Sequence, residues 1–157
     1  MAAIFEQRTD LRLERHIALP PEAIWAAWTR PELLMEWFLP RPWKLTACEL
    51  DLRPGGAFQM TMCAPDGRLI PNECCIPEVV APSRLAWTNT LRGDYRPTVA
   101  FAHPNTCVLE FAGDTDTRYT MTVLHSDATV RDRHAPDFHE RWNKMLEQLI
   151  ATMQVIR

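Results

Sequence analysis

Residues 136–155 read PDFHERWNKMLEQLIATMQV, and this stretch decides the fold that we predict. Its large apolar side chains recur every three or four residues, which is the spacing of one face of an α-helix. Pro136 and Asp137 are residue types that favour a first helical turn. A helix over Pro136–Val155 would be about 30 Å long, the width of a small domain. The apolar series comprises Phe138, Trp142, Met145, Leu149 and Met153.

Upstream of this helix, alternating apolar and polar side chains predict an antiparallel β-meander with short turns. Pro-Gly-Gly at residues 54–56 and Pro-Asp-Gly at residues 65–67 are strong turn signals, because Gly tolerates positive φ. The stretch Arg92–Asn105 gives little pattern and allows a short strand around Val99–Ala102. The predicted strands are Leu11–Leu19, Trp43–Leu52, Ala57–Cys63, Arg68–Val80, Arg84–Leu91, Thr106–Ala112 and Thr117–His125.

Two short helices are predicted after the first strand, over Pro21–Trp28 and Pro31–Trp37. Each begins with Pro followed by Glu, a pair that suits the first turn of a helix. A single sheet with one apolar face must cover that face, and only the C-terminal helix is long enough to do so. We therefore expect an α+β fold in which a curved antiparallel sheet of six to seven strands wraps around a long C-terminal helix.

Composition predicts one globular domain over residues 1–157, with its core at about residues 10–155. The net charge of −3 lacks the basic footprint of a nucleic-acid binder, and no apolar run is long enough for a membrane helix. The first ten residues, MAAIFEQRTD, do not read as a signal peptide. The odd number of cysteines and their spacing favour reduced, buried thiols and a cytoplasmic location. They are Cys48, Cys63, Cys74, Cys75 and Cys107.

Several segments together resemble the START-like (helix-grip, SRPBCC) superfamily and, within it, the group named after the activator of Hsp90 ATPase. The resemblance runs from about residue 10 to residue 153, and the family often has Gly where this chain has Arg141. It implies a deep pocket between helix and sheet. Members of the superfamily bind lipids, sterols, plant hormones or polyketides, and some cyclise polyketides. The segments that carry the resemblance are RHI (15–17), PPEAIWAAW (20–28), PELLMEWF (31–38), DLRPGGAF (51–58), PDG (65–67), PSRLAWT (82–88), TRYTMT (117–122) and WNKMLEQL (142–149).

The predicted ligand pocket is lined by large, soft side chains, because methionine adapts to irregular gaps and varied ligands. For Asn89 and Tyr119 two interpretations stay open. Each either orients a polar atom of the ligand or bonds to the backbone or a buried water, since a buried polar group needs a partner. The pocket residues that we predict are Trp37, Phe38, Phe58, Met60, Trp87, Asn89, Tyr119, Met121, Phe138, Trp142 and Met145.

The function that we predict is binding of a small hydrophobic or amphipathic molecule, lipid-like or aromatic, by a monomer or a homodimer. One alternative is a protein-interaction module whose partner is a chaperone or a regulator. Another is a cyclase-like enzyme using His125, Tyr119 or Asp51, although no catalytic motif occurs. No catalytic residue, cofactor or metal is predicted. The candidate metal ligands fit no zinc spacing; they are His103, Cys107, His125, His134 and His139.

Overall fold

The computed structural model describes residues 5–156, so residues 1–4 and residue 157 of the predicted domain lie outside the described part. Within it, seven antiparallel strands form one sheet, and four α-helices include a long C-terminal one, which confirms the predicted fold class. The elements are β1 (Asp10–Ile17), α1 (Pro21–Thr29), α2 (Pro31–Trp37), β2 (Lys44–Leu50), β3 (Gly56–Cys63), β4 (Leu69–Val80), β5 (Arg84–Thr88), β6 (Leu91–Arg92), β7 (Arg96–Pro97), β8 (Thr106–Gly113), β9 (Thr117–Leu124), α3 (Ala128–His134) and α4 (Phe138–Ile156).

The strands of the main sheet follow the order β1-β9-β8-β5-β4-β3-β2. β1 and β2 are therefore at opposite edges, although they are consecutive main-sheet strands in the chain. The helices α1 and α2 carry the chain from one edge to the other, with α1 against β8 and α2 against β2. Helices α1 and α2 thus help to bury the apolar side chains of the sheet in one core, as its alternating pattern of apolar and polar residues requires.

Helix α4 buries the apolar face that the sequence predicts, and its backbone approaches α2 more extensively than α1. The helix begins at Phe138 rather than at Pro136. Asp137 has φ 61°, which lies outside the right-handed helical region and interrupts the run. Its carbonyl still accepts a hydrogen bond from the backbone N–H of Arg141 at 2.8 Å. The buried residues of α4 are Phe138, Trp142, Met145, Leu146, Leu149 and Met153.

Trp28 joins the helical layer into one unit. Only 1% of its surface is exposed, and its ring lies 4.9 Å from Trp37 and 6.1 Å from Trp142, measured between ring centroids. Phe38 and Trp87 lie at 5.8 and 6.4 Å. One indole therefore connects α1, the end of α2, the sheet and α4. Aromatic pairs in these geometries add to the free energy of burial.

The segment between β5 and β8 differs from the sequence prediction. No strand forms at Val99–Ala102; instead β6 pairs with β7 around a short 3₁₀ turn at Gly93–Tyr95. The fifth predicted strand accordingly ends at Thr88 and not at Leu91. Proline and glycine in this segment break the alternation on which a strand prediction depends.

Helix α3 was missing from the sequence prediction. Its first turn is capped by the Asp127 side chain, which accepts a hydrogen bond from the backbone N–H of Val130 at 2.9 Å. Capping satisfies a donor that the first turn would otherwise leave free. The helix carries no fully buried residue, so it lacks the apolar periodicity that would predict it.

We predict that Trp28→Ala lowers the free energy of unfolding by about 3–5 kcal/mol, because it removes the ring that joins four elements. Trp25→Ala on the same helix is the matched control. Trp25 is half-buried, and among the described aromatic rings its ring pairs with Phe111 alone, at 6.4 Å. Urea denaturation followed by circular dichroism measures both variants. Equal losses in the two variants would contradict the central role of Trp28.

Candidate functional site

A cavity of about 340 Å³ lies between α4 and one end of the main sheet, at the lower end of the range for ligand pockets. Five strands contribute its floor, α4 and the segment after α2 contribute a wall, and residues 101–105 form its rim. The lining residues are Phe38, Leu39, Pro40, Trp43, Met60, Met62, Asn72, Cys74, Trp87, Asn89, Phe101, Ala102, His103, Asn105, Cys107, Val123, His134, Arg141, Trp142 and Met145.

The cavity exists because the inward side chains of neighbouring strands differ in size along their length. At the cavity end, Cys107 of β8 stands opposite Val123 of β9. Four residues further along β8, Phe111 stands opposite Tyr119, and these rings stack 5.6 Å apart. Small side chains leave space beneath the helix, whereas the aromatic pair fills it.

The floor of the cavity is neutral and, apart from the Asn72 amide, apolar. Burial raises the pKa of the Cys74 thiol to about 12, although the Asn72 amide, 3.8 Å from its sulfur, acts in the opposite direction. Burial also raises the pKa of the Cys107 thiol. Both residues therefore stay protonated at neutral pH and behave as small hydrophobic groups rather than as nucleophiles or metal ligands. Each of the five cysteines is free.

Asn89 holds the rim of the cavity in place. Its amide N–H groups donate to the carbonyls of Ala102 at 2.8 Å and His103 at 3.3 Å, and its carbonyl accepts from the backbone N–H of Asn105 at 2.9 Å. The Thr88 hydroxyl donates to the Asn105 carbonyl at 3.0 Å. Of the two interpretations left open for Asn89, the structure shows bonding to the backbone.

Basic and imidazole side chains gather at one end of the cavity. The rings of His103 and His134 stack 4.7 Å apart, and His134 Nδ1 lies 2.8 Å from His125 Nε2. Burial is the main cause that lowers the pKa of His134 to about 3, and nearby Arg141 lowers it further. Burial lowers the pKa of His125 as well. No Asp or Glu lines the cavity among residues 5–156.

The protonation of the histidine pair follows from its hydrogen bonds. His125 Nδ1 lies 2.8 Å from the Thr9 carbonyl, which only accepts, so Nδ1 carries the proton. In neutral His125 the Nε2 atom must then accept from His134 Nδ1. Burial lowers the pKa of both imidazoles, so both rings are uncharged at neutral pH and His134 has its own Nε2 unprotonated.

The structure brings six of the eleven predicted pocket residues together around the cavity: Phe38, Met60, Trp87, Asn89, Trp142 and Met145. The other five lie elsewhere in the core. Trp37 donates its indole N–H to the Ala27 carbonyl at 2.9 Å, and Phe138 packs edge-on against His134. Tyr119 and Met121 are on the inward face of β9, toward the filled end of the sheet. Phe58 is buried beside the cavity, opposite Cys74 and with its ring against Phe38 and Trp87, but does not line it.

Tyr119 is fully buried, and its hydroxyl has no hydrogen-bond partner of good geometry among the described residues. Burial raises its pKa well above the ordinary value, and the nearby Trp28 indole offsets part of the rise. None of the three candidate catalytic residues lines the cavity. His125 bonds to His134, which separates it from the cavity. Asp51 forms an ion pair with Arg53 at the surface.

The remaining lining residues come from two sources. Met62, Cys74, Cys107 and Val123 are on predicted strands, but their place on the strand did not single them out as pocket residues, whereas others come from segments without a periodic pattern. The rim residues and His134 belong to such segments, and Arg141 flanks the apolar stripe of α4. In the sequence, the only sign that Arg141 faces the cavity is its position one helical turn before Met145. Residues 5–156 contain no cluster of three potential metal ligands, and none of their helices has the length and apolarity to cross a bilayer.

We predict that Asn89→Ala loosens the rim, because three hydrogen bonds to residues 102–105 are lost. Backbone amide exchange in this segment should accelerate by about tenfold or more, since each bond contributes about 1 kcal/mol. Asn72→Ala is the control, because Asn72 also lines the cavity but its amide bonds to Cys74 and, within residues 5–156, makes no hydrogen bond to the rim. Unchanged exchange in Asn89→Ala would show that other contacts hold the rim.

The lowered pKa of His134 predicts a pH dependence of stability. The pKa of His134 falls from 6.5 to about 3 on folding, so the unfolded chain binds the proton first as the pH drops. The free energy of unfolding should therefore decrease from about pH 7 to about pH 5. In His134→Gln this decrease should be smaller, whereas His16→Gln, at an exposed site, should retain it. Urea titrations at several pH values measure the slopes.

Comparison with known proteins places these features in a family. The family described as "Activator of Hsp90 ATPase homolog 1-like protein" matches residues 18–154. The crystal structure of protein NE0264 from Nitrosomonas europaea has 38% sequence identity and a TM-score of 0.90, covering 96% of this chain and 97% of that one. No functionally curated protein matches the chain.

More distant structures share the fold alone. A crystal structure from Rhodobacter sphaeroides has 23% identity and a TM-score of 0.81, and covers 96% of this chain and 95% of that one. The AHSA1-like protein from Aeromonas hydrophila has 22% identity and a TM-score of 0.69, with coverage of 94% and 93%. With its helix-grip architecture and a family match over nearly its full length, the chain belongs to the Activator of Hsp90 ATPase homolog 1-like family of the START-like superfamily.

Proposed function

We propose that this chain binds a small hydrophobic or amphipathic molecule, lipid-like or aromatic, in the cavity between the sheet and α4. The observation that carries the proposal is the cavity of about 340 Å³ itself, with its apolar floor and aromatic wall. Transfer of apolar surface from water into such a space yields roughly 25 cal/mol per Å². A ligand that fills it would therefore bind through its hydrophobic body.

The lining suits ligands of more than one shape. Met60, Met62 and Met145 have flexible side chains that adapt to irregular outlines. Trp87 and Trp142 offer flat surfaces on which a ring or a chain can lie. The indole N–H of Trp87 is buried with no hydrogen-bond partner among the described residues, which supports contact with a polar atom of a ligand.

We predict that neutral apolar probes, decanol and naphthylmethanol, raise the melting temperature and change the tryptophan fluorescence of the protein. At a concentration of one hundred times Kd, binding should add about 2.7 kcal/mol to the free energy of unfolding. Val123→Phe should abolish the response, because the larger ring enters the cavity from its floor. Thermal shift and fluorescence titration measure both effects.

Val108→Phe is the matched control for this experiment. It makes the same substitution on the neighbouring strand β8, but Val108 is on the opposite face of the sheet and does not line the cavity. This variant should keep the affinity of the folded protein for both probes. If neither probe binds to the unmodified protein, or if the two variants lose binding equally, the cavity is not the binding site.

A second candidate function is a protein-interaction module related to Hsp90 co-chaperones. The side chains of Val99 and Phe101 favour it, because they are 94% and 56% exposed and lie close together in the chain. The same variants separate the candidates. If the chain acts on a purified Hsp90 through this surface, Val99→Ser should weaken the stimulation of ATPase activity and Val123→Phe should not.

A further inference from the structure

We propose that the ligand is a monocarboxylate with an apolar tail or ring, whose carboxylate pairs with the guanidinium of Arg141 at the histidine end of the cavity. This inference rests on the proposed binding function and adds the chemical class of the ligand. Arg141 is the residue of the lining with a permanent charge, since the remaining described lining residues are apolar, amide, thiol or imidazole side chains.

The guanidinium of Arg141 is half-buried without a matched anion. Among residues 5–156 the guanidinium makes no ion pair and no hydrogen bond. The backbone N–H of Arg141 donates to the Asp137 carbonyl. Burial lowers the pKa of Arg141, and the attraction of the Asp137 carboxylate offsets this effect only in part. An arginine nevertheless stays charged in proteins. A partly desolvated cation that makes no ion pair or hydrogen bond among the described residues is therefore presented to the cavity.

Asp137 compensates this charge only in part, and the groups that line the cavity add no negative charge. His125 and His134 are neutral at neutral pH, because burial lowers the pKa of each, and their hydrogen bonds to each other and to the Thr9 carbonyl suit the neutral tautomers. No carboxylate lines the cavity among the described residues. The exposed ring of His103 stacks on His134 at 4.7 Å and covers it from the solvent side. This end of the cavity thus attracts a negatively charged group, and that group must come from the ligand.

One guanidinium selects a single negative charge. Its two parallel N–H donors match the two oxygens of a carboxylate, and the pair is neutral overall. A phosphate monoester carries close to two negative charges at neutral pH, so one would remain unpaired in an apolar cavity. Arg141 and Met145 are one helical turn apart, about 6 Å, and both line the cavity. The head of the ligand therefore pairs at Arg141 while its apolar body extends toward the methionines.

The test compares ligands that share one tail and differ in the head group: decanoate, decanol, decylamine and decyl phosphate. Calorimetric titration gives Kd for each with the unmodified protein and with Arg141→Gln, Arg141→Lys and Arg133→Gln. Arg133 is an exposed residue of α3 that does not line the cavity, so its variant controls for a change of net charge alone. Circular dichroism and decanol binding confirm that each variant is folded.

We expect the unmodified protein to bind decanoate at least about tenfold more tightly than decanol, and decylamine most weakly. Arg141→Gln should abolish this preference while decanol still binds, Arg141→Lys should keep part of it, and Arg133→Gln should keep all of it. Equal affinity for decanoate and decanol, or an undiminished preference in Arg141→Gln, would overturn the carboxylate assignment and leave cavity binding intact. Tighter binding of decyl phosphate would overturn the single-charge argument. Binding of no probe would overturn the proposed function as well.

Discussion

The packing of Trp28 against the helices and the sheet is the constraint on which the rest of the structure depends. Its ring lies against Trp37, Phe38, Trp87 and Trp142, so α1, α2, β5 and α4 meet at one side chain. Three of these partners, Phe38, Trp87 and Trp142, also line the cavity. The same rings that hold α4 over the sheet therefore define one side of the open space beneath it, and stability and cavity shape are coupled.

Strand periodicity predicts which face of a strand is buried, but not how deeply each residue is covered by the helices. Tyr119, Met121 and Val123 follow one another on the inward face of β9, and the sequence gives no reason to treat them differently. Their surroundings separate them, because α1 and Phe111 fill the space over Tyr119 whereas the space beside Val123 stays open. The sequence thus predicts the fold, whereas the position of the cavity depends on packing between distant elements.

The polar end of the cavity was harder to predict, because its residues come from segments without a repeating pattern. His103 has φ 41° in an irregular loop, and His134 ends a helix that shows no apolar face. Their proximity is created by Asn89, which fixes the rim, and by the Asp127 cap, which begins α3. Such long-range side-chain contacts leave no local signature, so histidines distant in the sequence fitted no metal-binding spacing and gave no sign of a shared environment.

Arg141 connects stability with binding. A half-buried guanidinium without a matched anion has already lost part of its hydration in the folded protein, as the lowered pKa indicates. Under the proposed function, a carboxylate that enters the cavity meets a charge that needs little further desolvation, so more of the pairing energy appears as affinity than in an exposed ion pair. A glutamine at this position would be less costly to bury, but it would bring no charge. The half-buried charge of Arg141 therefore destabilises the free protein locally and would increase its affinity for a carboxylate.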